Sequence, residues 1–186
     1  MKRIVQFLFE ANILKSVQRT GFQFLGSGRE SVAEHSFMIS IIAYTMSKLN
    51  PEVDPLKIIT MCLMHDMPEA RMGDLNYVHQ RYATAHENKA LKDLAKDLSF
   101  GEELIQLVDE FNQCKTPEAL LARDADQISL ILELKALKDQ GKRGPEKWII
   151  AVKERLKTDT GKKMAETIMN TEWDDWWFQA LPELKK

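Results

Sequence analysis

Of the four histidines in this 186-residue chain, two stand where a soluble helix would normally place carbon. His35 shares a helical face with Val32, Ile39 and Ile42. His65 shares one with Ile58, Met61 and Cys62, and Asp66 adjoins it in "MCLMHDMPEARMGD". A lone histidine on an apolar face is more often a packed core residue than a ligand. A lone buried aspartate is more often a local hydrogen-bond acceptor. Here such groups accumulate, because "RDADQISLILEL" places Asp124 and Asp126 in another apolar helix. Burying several ionisable groups in one small protein is costly unless they pair or bind metal. Two imidazoles with carboxylates make a mixed nitrogen and oxygen set suited to a divalent transition metal. Spacing by itself leaves paired core residues and a metal site both open.

The elements that must position these groups read as helices. Glycine and proline are scarce, at 8 and 6, and fall between periodic segments. Residues 3–17 carry Ile4, Leu8, Ala11 and Leu14 at helical spacing. "RTGFQFLGSGRE" holds three of the glycines and reads as a loop. Ser31 with Glu34 forms a capping box that opens a helix to about Leu49. Asp54 caps the next helix, with Pro55 at its first position, and that helix runs to about His65. Thr84 with Glu87 and Ser99 with Glu102 read as two further capping boxes. Thr116 and Pro117 open the long helix that carries Asp124 and Asp126, and "GKRGP" ends it. Helices over 146–157 and 161–170 follow. Then comes a short aromatic helix in "TEWDDWWFQALPELKK", whose Trp173, Trp176 and Trp177 are expected to pack. No alternating run is long enough to build a sheet. The expectation is an all-α, single-domain protein spanning 1–186.

Composition narrows the function classes. Apolar residues make up 44% of the chain, charged residues 29%, and the formal net charge is -2. That balance gives no global argument for a nucleic acid polymer or an anionic membrane. No apolar run reaches the roughly 18 residues of a spanning helix. "MKRIVQFLFEANILKS" starts basic, but Glu10 and Asn12 interrupt it and no small-residue cleavage site follows, so a cytoplasmic protein is expected. Cys62 and Cys114 are far apart and form no paired motif; both are expected to be buried free thiols.

"EHS" at 34–36, "HD" at 65–66 and "DAD" at 124–126, in this order, resemble the signature of the HD-domain metal-dependent phosphohydrolases, closest to their bacterial 5′-deoxynucleotidase-like branch. "VAEHSFMISIIAY" looks like the first metal helix, "HDMPEARMGDL" like the HD-x-x-E-x-x-x-GD segment, and "ADQISLIL" like the closing metal helix. The likeness spans about residues 15–140, with helices of 145–182 expected to pack on that core. It implies an HD-domain helical bundle with one divalent transition metal (Mn, Co, Zn or Fe, ahead of Mg) on His35, His65, Asp66 and Asp126. Asp126 is preferred to Asp124 because the family's last ligand follows a small residue and precedes an apolar helical run. Asp124 lies about 200° away round the helix, in a solvated or supporting position. The resemblance also implies catalytic carboxylates at Glu69 and Asp74 and a phosphate-contacting arginine at Arg19. On this resemblance the helix ends at the metal, so its last residues His65 and Asp66 are ligands, Pro68 redirects the chain, and Glu69 and Asp74 can then face the same cavity.

The implied reaction is hydrolysis of (deoxy)nucleoside 5′-monophosphates to nucleoside and phosphate. A divalent ion polarises a phosphoryl oxygen and acidifies its bound water, a carboxylate moves the proton, and arginine matches phosphate geometry. The alternatives are another small phosphate ester or nucleotide pyrophosphate as substrate, or a non-catalytic nucleotide-binding module. "HDMPE" and "DAD", both intact, argue against the last. Two departures bear on the substrate. The segment after Gly-Asp-Leu is "NYVHQRYATAHEN" where the branch usually has proline. Thr20 follows the arginine where an aromatic helps select deoxyribose, with Phe22 two further on. His79 and His86, seven apart, raise a dinuclear alternative, which a cap at Thr84 would break. A homodimer is expected, because related proteins commonly pair and the Trp-rich tail offers apolar area.

Overall fold

The structure is a computed structural model and describes residues 1–179 and Leu181. Ala180 and residues 182–186, where the expected tail helix was to end, lie outside the described residues. The helices are α1 (Lys2–Ile13), α2 (Gly21–Leu25), α3 (Val32–Leu49), α4 (Pro55–Met64), α5 (Glu69–Met72), α6 (Glu87–Ala95), α7 (Gly101–Gln113), α8 (Pro117–Asp139), α9 (Pro145–Lys153), α10 (Asp159–Met169) and α11 (Asp175–Phe178). A 3₁₀ turn covers His79–Arg81. Among the described residues there is no strand, only an isolated antiparallel bridge between Gln18 and Ser31. The expected all-α, single-domain architecture is what forms.

Caps set the helix starts that matter. The Ser31 side chain accepts from the Glu34 N–H while Glu34 reaches back to the Ser31 N–H at 2.7 Å, so the capping box is closed. Asp54 and Thr116 cap α4 and α8, each followed by proline at the first helical position. The other two expected boxes do not form. α6 starts two residues late, with His86 at its cap, and Glu87 instead accepts from Asn112. α7 starts from Phe100 because the chain turns so tightly there that a Cβ on Gly101 would lie 2.2 Å from the Ala95 carbonyl.

α8 is the centre of the molecule and packs against α3, α4, α7, α9 and α10. Ile39, Met46, Ile58, Met61, Phe111, Ile128, Ile131 and Leu134 form one buried cluster along it. Each such side chain stabilises the fold by about 1.5–3 kcal/mol when removed from water. Phe7, Leu14, Val32, Leu91, Leu94 and Leu104 form a second cluster beneath α1 and α6. α1 differs in one respect from its sequence pattern: Phe7, not Leu8, faces inward, and Leu8 is 59% exposed. The glycine-rich segment is also more ordered than a loop. The Arg19 N–H donates to the Glu30 carbonyl at 2.8 Å and the Val32 N–H to Val17 at 2.9 Å, with α2 between them. The tail differs most. Trp173, Trp176 and Trp177 are 49%, 74% and 49% exposed, so they do not pack as expected. Cys62 is buried and Cys114 half-buried, and both are free thiols.

Candidate metal centre and adjoining pocket

Three helices deliver the titratable groups to one point. His35 lies in the first turn of α3, His65 caps the C-terminus of α4 with Asp66 next, and Asp126 lies in α8. One ligand atom from each of His35, His65 and Asp126 lies within 4.8 Å of the other two. His35 Nε2 is 3.2 Å from Asp126 Oδ1 and 3.8 Å from Asp66 Oδ2, and His65 Nε2 is 3.1 Å from Asp66 Oδ1. Donors held about 2 Å from one ion sit about 3 Å apart, which the His35–Asp126 and His65–Asp66 separations match, while the others are wider and Asp66 falls outside the three-residue group. The rest of each side chain is fixed accordingly. His65 Nδ1 meets the Cys62 carbonyl at 3.0 Å, which leaves Nε2 to face the cluster. Gln127 donates to Asp126 Oδ2 at 2.8 Å, leaving Oδ1 to face His35. Phe111 packs its ring on His65 at 4.3 Å between centroids.

The site is also unsatisfied as it stands. Both ring nitrogens of His35, Asp66 Oδ2 and Glu69 Oε2 are buried without a hydrogen-bond partner. Such orphans are rare in folded proteins and call for a missing partner. Five carboxylates gather here, those of Glu30, Asp66, Glu69, Asp74 and Asp126, around the single guanidinium of Arg19. A divalent cation fits both the donor set and the excess of negative charge.

Arg19 is held by the short backbone pairing with Glu30. Its guanidinium stands 3.5 Å from Asp66, 3.9 Å from Asp126 and 3.9 Å from Glu30. Burial opposes its charge, but Asp126, Asp66, Asp74 and Glu30 outweigh burial and raise its pKa. The same burial would raise Asp126; the 3.2 Å approach of His35 and the charges of His35, Arg19 and His65 bring it well below the usual carboxylate range. Asp66 is lowered likewise, against burial, by His65, His35 and Arg19. Burial and then Arg19 lower His35, whereas His65 is raised against burial by Asp66. Glu69 goes the other way: burial, then Asp66 and Asp74, push it up to about 9. Gly73, at φ 75°, ends α5 in a conformation that favours glycine and turns Asp74 back to Thr20. The Thr20 N–H donates to Asp74 Oδ2, and its hydroxyl lies 3.0 Å from the same oxygen and accepts from Asn76 Nδ2 at 3.0 Å.

The structure thus brings His35, His65, Asp66, Glu69, Asp74 and Asp126 together around Arg19, with Arg19 and Asp74 also lining a cavity, but three other residues stand apart. Asp124 is fully buried on the far side of α8. It accepts from the Lys157 and Thr158 N–H groups at 2.8 Å and the Thr158 hydroxyl at 2.6 Å, so it is a buried anchor and not a solvated residue. His79 sits edge-on against Phe24 at 5.8 Å between centroids, and His86 is exposed at the cap of α6. Among the described residues no second metal-competent group forms around them. Sequence reasoning missed Glu30 and Gln127. Neither belongs to a periodic pattern; adjacency of Gln127 to Asp126 was the one available signal.

A family model described as HD domain matches residues 11–169, most of the chain and all of this site. The chain belongs to the HD-domain family. A 5′-deoxynucleotidase of Dictyostelium discoideum is 31% identical over 146 residues, 72% of this chain and 76% of that protein. A solved structure of a conserved hypothetical protein from Pyrococcus furiosus matches at a TM-score of 0.76 and 25% identity, over 90% of this chain and 99% of that one. A predicted metal-dependent phosphohydrolase from Magnetospirillum magnetotacticum shares the fold at a TM-score of 0.68 and 22% identity, over 91% and 93%. This HD-domain protein is an enzyme, a metal-dependent phosphohydrolase, and its cofactor is a divalent metal.

Proposed function

We propose that this HD-domain enzyme hydrolyses (deoxy)nucleoside 5′-monophosphates to nucleoside and phosphate. The observation that carries the reading is the set of buried, unpartnered donors beside Arg19, which itself lines an aromatic-walled cavity. The activity named for the Dictyostelium relative supports the choice of substrate. His35, His65, Asp66 and Asp126 would hold one ion of Mn, Co, Zn or Fe, and the imidazole content favours these over Mg. When bound, the ion supplies Lewis-acid polarisation of a phosphoryl oxygen and an acidified water. Arg19 holds the phosphate; its donors stand 3.5 Å and more from the carboxylates, so they remain free to form a paired contact. Glu69 carries the proton exchanged with the reacting oxygens. Asp74, clamped by Thr20, faces the sugar. Thr20 is smaller than an aromatic, so ribose as well as deoxyribose fits beside it.

The metal-holding core is taken as about residues 15–140, with the helices beyond 145 completing the substrate side. A homodimer is supported by the exposed apolar side chains of α3, Phe37, Ile41 and Tyr44, and by those of α11. No described helix is long and apolar enough to cross a membrane, which agrees with a cytoplasmic location.

The test is phosphate release from a panel of ribo- and deoxyribonucleoside monophosphates, after chelation and with Mn²⁺, Co²⁺, Zn²⁺, Fe²⁺ or Mg²⁺ restored. Release from monophosphates that is abolished by chelation and restored by a transition metal is expected, with about one ion bound per chain. Pyrophosphate release from triphosphates, with monophosphates untouched, would place the enzyme among the nucleotide pyrophosphatases instead.

A further inference from the structure

A cavity of about 360 Å³ starts at Arg19 and Asp74 and runs away from the metal centre to α9. Part of its wall belongs to the core, through Leu25, Leu130, Val152 and Trp148, but two aromatics in it are not explained by packing. Tyr77 is 73% exposed and Phe24 52%, yet both line the cavity with Trp148. Large aromatics left in water around a concave site mark ligand surface more often than core. Trp148 differs from the other two because it is held. A Cβ on Gly21 would lie 3.6 Å from its six-membered ring, so the indole is braced against the backbone two residues from Arg19. The platform and the phosphate-binding group are therefore positioned by one short stretch of chain. Lys147 and Arg155 line the same cavity from α9 and the turn after it. Neither forms an ion pair among the described residues.

We propose that this cavity is a nucleobase site, with Trp148 as stacking platform, Tyr77 as its opposing wall, and Lys147 and Arg155 selecting bases that present carbonyl oxygens. The proposal rests on the monophosphatase reading and deepens it. Its physical basis is that every base offers a π-face to an aromatic ring, whereas cationic donors discriminate by the acceptors on the base edge. Uracil, thymine and guanine carry such carbonyl groups facing outward, and adenine carries none.

The experiment compares thymidine and adenosine monophosphates (deoxy forms of both) with ribose 5-phosphate, which has the same ester and no base. In the metal-loaded wild type, the thymidine substrate should have the higher kcat/KM. Trp148→Ala should raise KM for both nucleotides about ten-fold or more, with Trp148→Phe recovering most of it and ribose 5-phosphate changed less than two-fold. Tyr77→Ala, at an exposed position that the fold does not need, should act in the same direction more weakly. Lys147→Ala with Arg155→Ala should bring the thymidine-to-adenosine ratio close to one. Equal losses on ribose 5-phosphate and nucleotides, or unchanged KM in both aromatic variants, would overturn the base site while leaving the monophosphatase reading intact. A wild type that hydrolyses ribose 5-phosphate as well as any nucleotide would sink both.

Discussion

Glu69 and Glu30 show how single residues tune the centre. If Glu69 handles the proton, Glu69→Gln should bind metal normally and lose roughly 10²-fold in kcat. The same residue links metal to pH. Its carboxyl is raised from 4.5 to about 9, so in the folded, metal-free protein it holds a proton that the unfolded chain releases. Stability from this source is complete below pH 4.5 and is lost as pH rises towards 9. His65, also raised, changes in the same sense, whereas His35, which is lowered, acts in the opposite sense, its contribution growing as pH rises towards 6.5. Melting of the chelated protein should therefore drop between pH 7 and 9, by up to roughly 2 kcal/mol. Glu69→Gln should flatten most of that slope, and bound metal should remove it. Glu30, raised to about 7 by burial against the pull of Arg19, lies 3.9 Å from both Arg19 Nε and His35 Nδ1. It makes no hydrogen bond to His35 Nδ1 at this distance; if the contact closes when metal binds, Glu30→Gln should weaken metal binding by roughly 10–100-fold in chelator competition. Unchanged affinity would leave Glu30 as a partner of Arg19 only.

At the scale of elements, α8 serves two sides at once. Asp126 faces the metal centre, and Asp124, two residues earlier, faces the opposite way and anchors the start of α10. The fit there is close enough that a Cβ on Gly161 would lie 2.3 Å from Asp124 Oδ2. Asp124→Ala would leave two partly buried N–H groups and a hydroxyl unpaired, a loss of about 3 kcal/mol, or roughly 10 °C in Tm. Metal content in the cold should stay at the wild-type level. Asp124→Asn, which keeps one acceptor oxygen, should recover part of the loss. If Asp124→Ala instead removed the metal and left Tm unchanged, Asp124 would belong to the centre and not to the α8–α10 joint.

For the whole molecule, assembly is the open prediction. The exposed row Phe37, Ile41 and Tyr44 on α3 and the exposed tryptophans of α11 should place the protein in solution as a dimer. Light scattering at micromolar concentration should give twice the 21.5 kDa chain mass. Ile41→Asp should shift it to the monomer, and a monomeric wild type would refute the assignment. The sequence by itself determined the helices that end in strong local signals, such as the Ser31–Glu34 box and the caps at Asp54 and Thr116. It also determined that His35, His65, Asp66 and Asp126 needed each other, because ionisable groups on apolar faces are too costly to bury apart. Only the tertiary structure decided which weak caps form. Thr84 and Ser99 have the right spacing, but Asn112 draws Glu87 away and the corner at Gly101 moves the start of α7. Tertiary structure alone also placed Glu30 against Arg19, gave Asp124 its partners at Lys157 and Thr158, and set Trp148 beside the Arg19 end of the cavity. These are contacts between residues well separated in the chain, with no shared period. Local spacing encodes which face a side chain takes on its own helix, and only packing decides what that face meets.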